Sequence, residues 1–197
     1  GKIRESFELL KVSDVIEALN HIHCVDYILD HVMEPLDTRF IRKLHELLMA
    51  GTVDAYRQRV RPGEYRTTIP KNKDRPMIQG SQVHSSLTML IEYYETRAEI
   101  ERNQILEFHV RFEQIHPFDD GNGRVGRLIM FKECLRHDIM PFILDDKRRS
   151  RYLQGIREWF VDRYELVDVA MEAQSRFESQ IELQKLQKAA EFYQPEE

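Results

Sequence analysis

The sequence has few of the features that mark secreted or membrane proteins. Of its 197 residues only two are cysteines, Cys24 and Cys134, and both sit among apolar neighbours. We therefore expect two buried reduced thiols, with a single structural disulfide as the alternative. There is no signal peptide, and no apolar run is long enough to span a bilayer. These absences predict a cytoplasmic protein that does not bind a membrane.

The chain also lacks an excess of positive charge. It has 29 Lys and Arg against 34 Asp and Glu, for a formal net charge of −5. A general nucleic-acid binder is usually basic, so we predict that nucleic acid is not a partner. Internal repeats and low-complexity linkers are absent as well. The length suits one domain, with or without an extension, and is sufficient for a sizeable core.

Apolar residues recur at helical spacing through almost the whole chain, which predicts an all-α protein. Residues 61–80 differ, because they contain several prolines and glycines and a short extended run, and they predict a loop or a small β-hairpin. We divide the chain into N-terminal helices (1–60), a catalytic core (61–165) and a C-terminal helical extension with its tail (166–197). The extension either packs on the domain or a partner, or forms a solvated terminal helix.

The richest chemistry lies in the run from His116 to Arg127. Gly121-Asn122-Gly123 favours a turn, and the residues after it follow helical spacing, so the turn is predicted to begin a helix. Free backbone N–H groups and the helix dipole make such an N-terminus a phosphate site. Arg124 and Arg127 are three positions apart, so both face one side of the helix with donors suited to polyphosphate oxygens.

Two further residues complete this run. Asp120 would repel a polyphosphate unless a cation lies between them, which indicates Mg²⁺. His116 can take a proton from an attacking hydroxyl near neutral pH. Each feature alone has an ordinary explanation, as a satisfied polar histidine, a turn or a solvated helix face. Their conjunction within twelve residues favours phosphate or nucleotide binding.

The run matches H-x-F-x-[D/E]-G-N-G-R-x-x-R, and by it the chain resembles the Fic-domain family. The resemblance extends from about Ile16 to Phe160. Residues 17–21 are similar to the early E-x-x-N-[HY] stretch of the family, residues 63–68 to the strand that enters its flap, and residues 149–152 to a later helix at the adenosine pocket. The resemblance implies an all-α, Fic-type helical bundle with a short β-hairpin flap at about residues 61–80.

The resemblance also implies an activity, that of a Mg²⁺-dependent protein adenylyltransferase. Such an enzyme transfers AMP from ATP to a Tyr, Thr or Ser hydroxyl of a target protein, itself included, and releases pyrophosphate. By this resemblance His116 is the catalytic base and Asp120 holds the metal. The residues assigned to the ATP phosphates are Gly121, Asn122, Gly123, Arg124 and Arg127.

The remaining implied roles concern the surroundings of the motif. Phe118 is a structural anchor, Tyr152 lines the nucleoside pocket, and Thr68 and Ile69 belong to the flap over that pocket. Relatives that phosphorylate carry a lysine at the position of Gly123, so the glycine favours AMP transfer. The alternatives are a nucleotide-binding regulatory module with negligible transfer, removal of AMP from a modified protein, and transfer from another nucleotide.

The resemblance also raises the question of an inhibitory helix. Many family members carry an inhibitory helix, [S/T]-x-x-x-E-[G/N], whose glutamate pairs with the residue equivalent to Arg127. Ser13 and Glu17 have this spacing, but Ala18 follows and the early family stretch falls here, so we interpret the match as coincidental. We expect the inhibitory helix upstream of Gly1 or on another chain, and this chain to be uninhibited. Family members often form homodimers, for which the C-terminal helix is a candidate.

Overall fold

The structure, a computed structural model, describes residues 12–57, 59–70, 77–144 and 146–192. These residues form helices and connecting loops with no strand among them, which confirms the all-α prediction for the described chain. The helices are α1 (Val12–Asp30), α2 (Thr38–Met49), α3 (Val53–Tyr56), α4 (Val83–Glu95), α5 (Arg102–Ile115), α6 (Asn122–Arg136), α7 (Arg149–Glu158) and α8 (Tyr164–Phe192), with 3₁₀ turns at Gly80–Gln82 and Asp146–Arg148. None of the described helices is long and apolar enough to cross a bilayer.

The β-hairpin expected at residues 61–80 is corrected by the structure. Residues 61–70 and 77–80, here called the flap arms, contain no strand, and residues 71–76 lie outside the described residues. The backbone groups of the first arm bond to the core instead. The N–H of Gly63 donates to Nδ1 of His45 (2.9 Å), and the N–H of Arg66 donates to the carbonyl of Pro117 (2.9 Å). These bonds replace the ladder that a hairpin would need.

Helices α5 and α6 lie in the middle of the molecule. On one side they pack against α1, α2 and α4, around buried residues such as Phe112, Phe118 and Val125. On the other side they pack against α7 and α8, around residues such as Trp159 and Val169. Apolar packing on both sides of α5 and α6 therefore fixes the connection between them, because burial of apolar side chains in a close-packed core is stabilising.

The two cysteines belong to these two separate clusters. Cys24 lies in the first and Cys134 in the second, and both are free and fully buried. Burial raises the pKa of the Cys24 thiol to about 11 and that of Cys134 to about 12. The expectation of two buried reduced thiols is confirmed, and neither thiol is suited to nucleophilic chemistry.

The first part of the C-terminal extension packs on the domain. Leu166, Val169, Ala170 and Ala173 of α8 are buried in the second cluster. On the adjoining surface the guanidinium of Arg151 on α7 contacts three carboxylates of α8, those of Glu165, Asp168 and Glu172, at 2.5, 2.5 and 2.9 Å. These contacts hold α7 in place, and α7 forms one wall of the cavity described below.

Helix α2 is fixed at both ends by side chains. Asp37 caps its start by accepting from the N–H of Phe40 at 2.7 Å. At its end the buried amide of Asn20 donates to the carbonyls of Leu48 (3.0 Å) and Ala50 (2.7 Å). Asn20 thus satisfies carbonyls that the helix itself leaves unpaired.

We predict that Asn20→Ala lowers the free energy of unfolding by about 1–3 kcal/mol, because two buried carbonyls lose their donor. Asn103→Ala is the matched control, since Asn103 is exposed on α5. Urea denaturation of the two variants measures the difference. Equal stability of both variants would contradict this account of the α2 terminus.

Candidate active site

The turn between α5 and α6 carries the motif. Helix α5 ends at Ile115, because the next residue, His116, precedes a proline and such a residue disfavours the helical conformation. His116 adopts a left-handed conformation with φ 51°. Its N–H still closes the helix by donating to the carbonyl of Phe112 at 2.9 Å. A left-handed conformation costs a non-glycine residue about 1–2 kcal/mol. The conformation of His116 therefore has to be held by its surroundings.

The far end of the turn begins α6. Gly121 has φ 78° and caps the helix, whose first residue is Asn122. A side-chain bridge closes the turn: the N–H of Phe118 donates to Oδ1 of Asn122 (2.9 Å), and Nδ2 of Asn122 donates to the carbonyl of Phe118 (2.8 Å). The predicted helix start is confirmed. The first N–H groups of a helix lack helical partners, and such groups are suited to binding an anion.

A cavity of about 670 Å³ lies over this helix start. Its floor is the motif, and its wall is the face of α7 with Arg149, Tyr152, Leu153, Ile156 and Arg157. These α7 residues recur at helical spacing around Tyr152, so the sequence could have predicted that they face the same side as Tyr152. Leu144 adds to the apolar part of the wall. The size is typical of a small-molecule pocket.

The structure brings most of the predicted site residues to this cavity. His116, Asp120, Gly121, Asn122, Gly123, Arg124, Arg127 and Tyr152 line it. Phe118 does not, because it is fully buried and stacked on the ring of His45, with centroids 3.8 Å apart. Thr68 and Ile69 are also not among the lining residues, and Pro70 is the residue of the flap arms that lines the cavity.

Glu113, which the sequence interpretation missed, is an acidic group beside the base. It lies one turn before His116 on α5, and its Oε2 is 3.9 Å from Nδ1 of His116. Its Oε1 is also close to Gly123, where an added Cβ would lie 3.4 Å from it. At 3.9 Å from Nδ1 the carboxylate is too far for a direct hydrogen bond, but its negative charge favours the protonated form of His116. The i, i+3 spacing to His116 is the signal that could have revealed it.

The two arginines of the motif, Arg124 and Arg127, have different neighbours. Arg124 contacts Oε2 of Glu17 on α1 at 3.0 Å and Oδ2 of Asp120 at 3.3 Å. Arg127 lies near Tyr152, where its positive charge opposes the rise that burial causes in the pKa of the Tyr152 hydroxyl. The glutamate of the Ser13–Glu17 spacing match thus contacts the first arginine of the motif, Arg124. The expectation that this match is coincidental stays a prediction.

Two buried histidines, His45 and His109, contact residues that line the cavity. Neither was identified from the sequence. Nε2 of His45 lies 3.2 Å from the carbonyl of Asp120, and Nδ1 accepts from the N–H of Gly63. Burial lowers the pKa of His45 to about 4, with Arg124 adding to the effect and Asp120 opposing it. His109 is hydrogen-bonded to the hydroxyl of Tyr152, and burial, aided by Arg127, lowers its pKa to about 3. Both are neutral imidazoles at neutral pH.

The carboxylates at the cavity fit a metal ion that takes most of its ligands from a bound polyphosphate and from water. Among the described residues no group of three or more His, Cys, Asp or Glu side chains could hold a metal. Glu113, Asp119 and Asp120 present carboxylates in the lining of the cavity, and that of Asp120, which directly precedes Gly121, is 55% exposed. Mg²⁺ commonly uses one or two carboxylates and completes its shell with phosphate oxygens and water, so Asp120 fits Mg²⁺ bound together with a polyphosphate.

The helix start, the histidine and the two arginines line one cavity of a helical domain, and sequence comparison identifies the family of this domain. The sequence model of the Fic/DOC family matches residues 35–134, a range that includes the whole motif. The match covers 100 of the 197 residues. The chain belongs to the Fic/DOC family.

Individual relatives agree with this assignment. A probable protein adenylyltransferase of Aquifex aeolicus is 39% identical over 51 residues, which are 26% of this chain and 15% of that protein. Fic-1 of C. elegans superposes with a TM-score of 0.75 at 19% identity, covering 91% of this chain and 55% of that chain. BepC of Bartonella tribocorum, solved with bound AMPPNP, gives 0.53 at 15% identity, covering 81% and 86%. The structural matches establish the fold, and the chain spans a small part of the Aquifex relative.

We predict that acid destabilises the protein through His45. Its pKa is lowered in the folded state, so the unfolded state binds more protons once the pH falls below the usual 6.5. The stabilisation is complete above about pH 6.5 and is lost as the pH falls towards 4. His45→Gln should therefore reduce the dependence of unfolding free energy on pH between 7 and 5.

Urea denaturation at several pH values measures this dependence. His23→Gln is the control, because His23 is exposed on α1. If wild type and His45→Gln lose stability equally between pH 7 and 5, His45 is not the buried neutral group described above.

Proposed function

We propose that the protein is a protein adenylyltransferase, which transfers AMP from ATP to a hydroxyl of a target protein and to itself. One observation carries the proposal. A histidine base, a carboxylate and a helix N-terminus with two arginines converge on one cavity of nucleotide size. The similarity to the Aquifex protein named as a probable adenylyltransferase supports it. So does the AMPPNP bound to BepC, which is an ATP analogue on the same fold.

The phosphates belong at the start of α6. The N–H groups of Gly123 and its neighbours bind one phosphoryl group, and the positive end of the helix dipole adds to the attraction. Arg124 and Arg127 take the outer phosphates. To do so Arg124 exchanges the carboxylates of Glu17 and Asp120 for phosphate oxygens. Exchange of a carboxylate for a more highly charged anion is favourable for a guanidinium.

The acid–base step belongs to His116. Its basic nitrogen accepts the proton of the target hydroxyl while the hydroxyl oxygen forms a bond to the α-phosphorus. The bond from the α-phosphorus to the bridging oxygen breaks, and pyrophosphate leaves. The helix N-terminus stabilises negative charge on the oxygens of the transferred group. Glu113 stabilises the imidazolium that His116 becomes, because its carboxylate lies beside Nδ1.

Asp120 holds the Mg²⁺ that accompanies ATP, and the ion supplies charge neutralisation at the phosphates. The carboxylate is within reach of the cavity, and its contact with Arg124 is a surface ion pair that is easily exchanged.

The nucleoside lies against α7. Leu144, Leu153 and Ile156 form an apolar wall beside Tyr152, which suits the faces of a base. The hydroxyl of Tyr152 is hydrogen-bonded to His109. Tyr152 therefore forms part of the nucleoside wall, and His109 fixes the position of its hydroxyl.

We predict that incubation with Mg²⁺ and ATP labelled on the α-phosphate transfers label to protein, whereas ATP labelled on the γ-phosphate does not. Intact mass spectrometry detects self-modification in the same samples. His116→Ala should lose at least a hundredfold in rate, because it removes the general base. Label from the γ-phosphate would identify a kinase. ATP binding without any transfer would identify a nucleotide-binding regulatory module.

We also predict that Asp120→Asn raises the Mg²⁺ concentration needed for half-maximal labelling, because the metal loses its protein carboxylate. Asp119→Asn is the matched control, since Asp119 is the adjacent exposed carboxylate. Titration of Mg²⁺ at fixed ATP measures both variants. An equal shift in the two variants would mean that general negative charge, and not the Asp120 ligand, sets the requirement.

A further inference from the structure

Arg66 is a fully buried arginine that binds only backbone oxygens in the described structure. Its side chain is 1% exposed. Nε donates to the carbonyl of His116 (2.7 Å) and Nη1 to that of Thr68 (2.8 Å). Nη2 donates to the carbonyls of Ile78 (3.0 Å) and Ile115 (3.1 Å). Among the described residues it has no carboxylate within ion-pair distance, although a buried guanidinium usually has one.

The four carbonyls come from three separate parts of the chain. Thr68 lies in the first flap arm and Ile78 in the second. Ile115 and His116 form the C-terminal end of α5, where unpaired carbonyls carry partial negative charge that favours a cation. The two arms also touch next to Arg66, since an added Cβ on Gly80 would lie 2.1 Å from the carbonyl oxygen of Thr67. One side chain thus joins both arms to the turn that bears the base.

The same residue binds three successive carbonyls around the strained position. Its side chain binds those of Ile115 and His116, and its own N–H binds that of Pro117 at 2.9 Å. A relaxed His116 would rotate these carbonyls and break the bonds. The geometry points to Arg66 as the residue that keeps His116 in its left-handed conformation. We propose that Arg66 is a positioning residue, which aims the base and couples it to the flap arms.

This inference rests on the proposed function, because it assumes that His116 is the reacting base. It assigns Arg66 no contact with the nucleotide, since Arg66 is not among the residues that line the cavity. Loss of Arg66 should therefore impair turnover and leave the binding of ATP intact. Lysine cannot replace it, because one ammonium group cannot reach carbonyls on three sides of a planar fork.

The test uses Arg66→Lys, with Arg61→Lys as the matched control. Arg61 is in the same arm, but its side chain is 73% exposed and, among the described residues, forms an ion pair with Glu64 alone. We expect Arg66→Lys to lower the rate of labelling by about a hundredfold, the effect of a small misplacement of a catalytic group, with an unchanged Kd for ATP. Hydrogen exchange should quicken at residues 64–70 and 115–119. Arg61→Lys should match wild type in all three measurements.

Arg66→Ala provides the second variant and covers the case that lysine prevents folding. Millimolar guanidinium should restore part of its rate and of its protection from exchange, and sodium should not. A wild-type rate in Arg66→Lys would overturn the proposal, and so would a rate loss that follows weaker ATP binding. If wild type transfers no AMP, the proposed function fails. Exchange at residues 115–119 then still tests whether Arg66 holds the turn.

Discussion

The hydrogen bonds of the turn at residues 116–121 are the constraint on which the site depends. This turn ends α5, bears a left-handed His116 and begins α6. Residues 116–118 and Gly121 of this turn are buried, so their backbone polar groups need partners. Arg66 binds the carbonyls at the start, Asn122 bridges to Phe118 in the middle, and His45 contacts the carbonyl of Asp120 at the end. These partners come from different parts of the chain, so the site exists only in the complete fold.

Electrostatic balance is the second property of the site. Arg124 lies between the carboxylates of Glu17 and Asp120, and Glu113 lies beside His116. The buried side chains of His45 and His109 are neutral, so they contribute hydrogen bonds to the site without adding positive charge. Arg124, which faces the cavity, is thus held in place by exchangeable acidic partners. A polyphosphate with its metal would replace those partners, and the helices that carry the side chains need not move.

Local signals in the sequence account for the parts of the site that could be predicted. Pro117 ends α5 and the glycines begin α6 because backbone preferences act over a few residues. The prediction of a hairpin was wrong because Arg66 and Gly63 form hydrogen bonds to the core, with partners 50 and 18 positions away in the sequence. His45 and His109 were missed for the same reason, since only tertiary contact makes a histidine buried and neutral. Glu113 was within reach of sequence reasoning, because it is one helical turn from His116.

In the proposed reaction, phosphates bind at the start of α6 and His116 faces the α-phosphorus. A crystal structure of the protein with Mg²⁺ and a non-hydrolysable ATP analogue tests this arrangement. We expect phosphate oxygens bonded to the first N–H groups of α6 and to Arg124 and Arg127, with the α-phosphorus nearest His116. A γ-phosphate beside His116 would contradict it, as would phosphates bound away from α6.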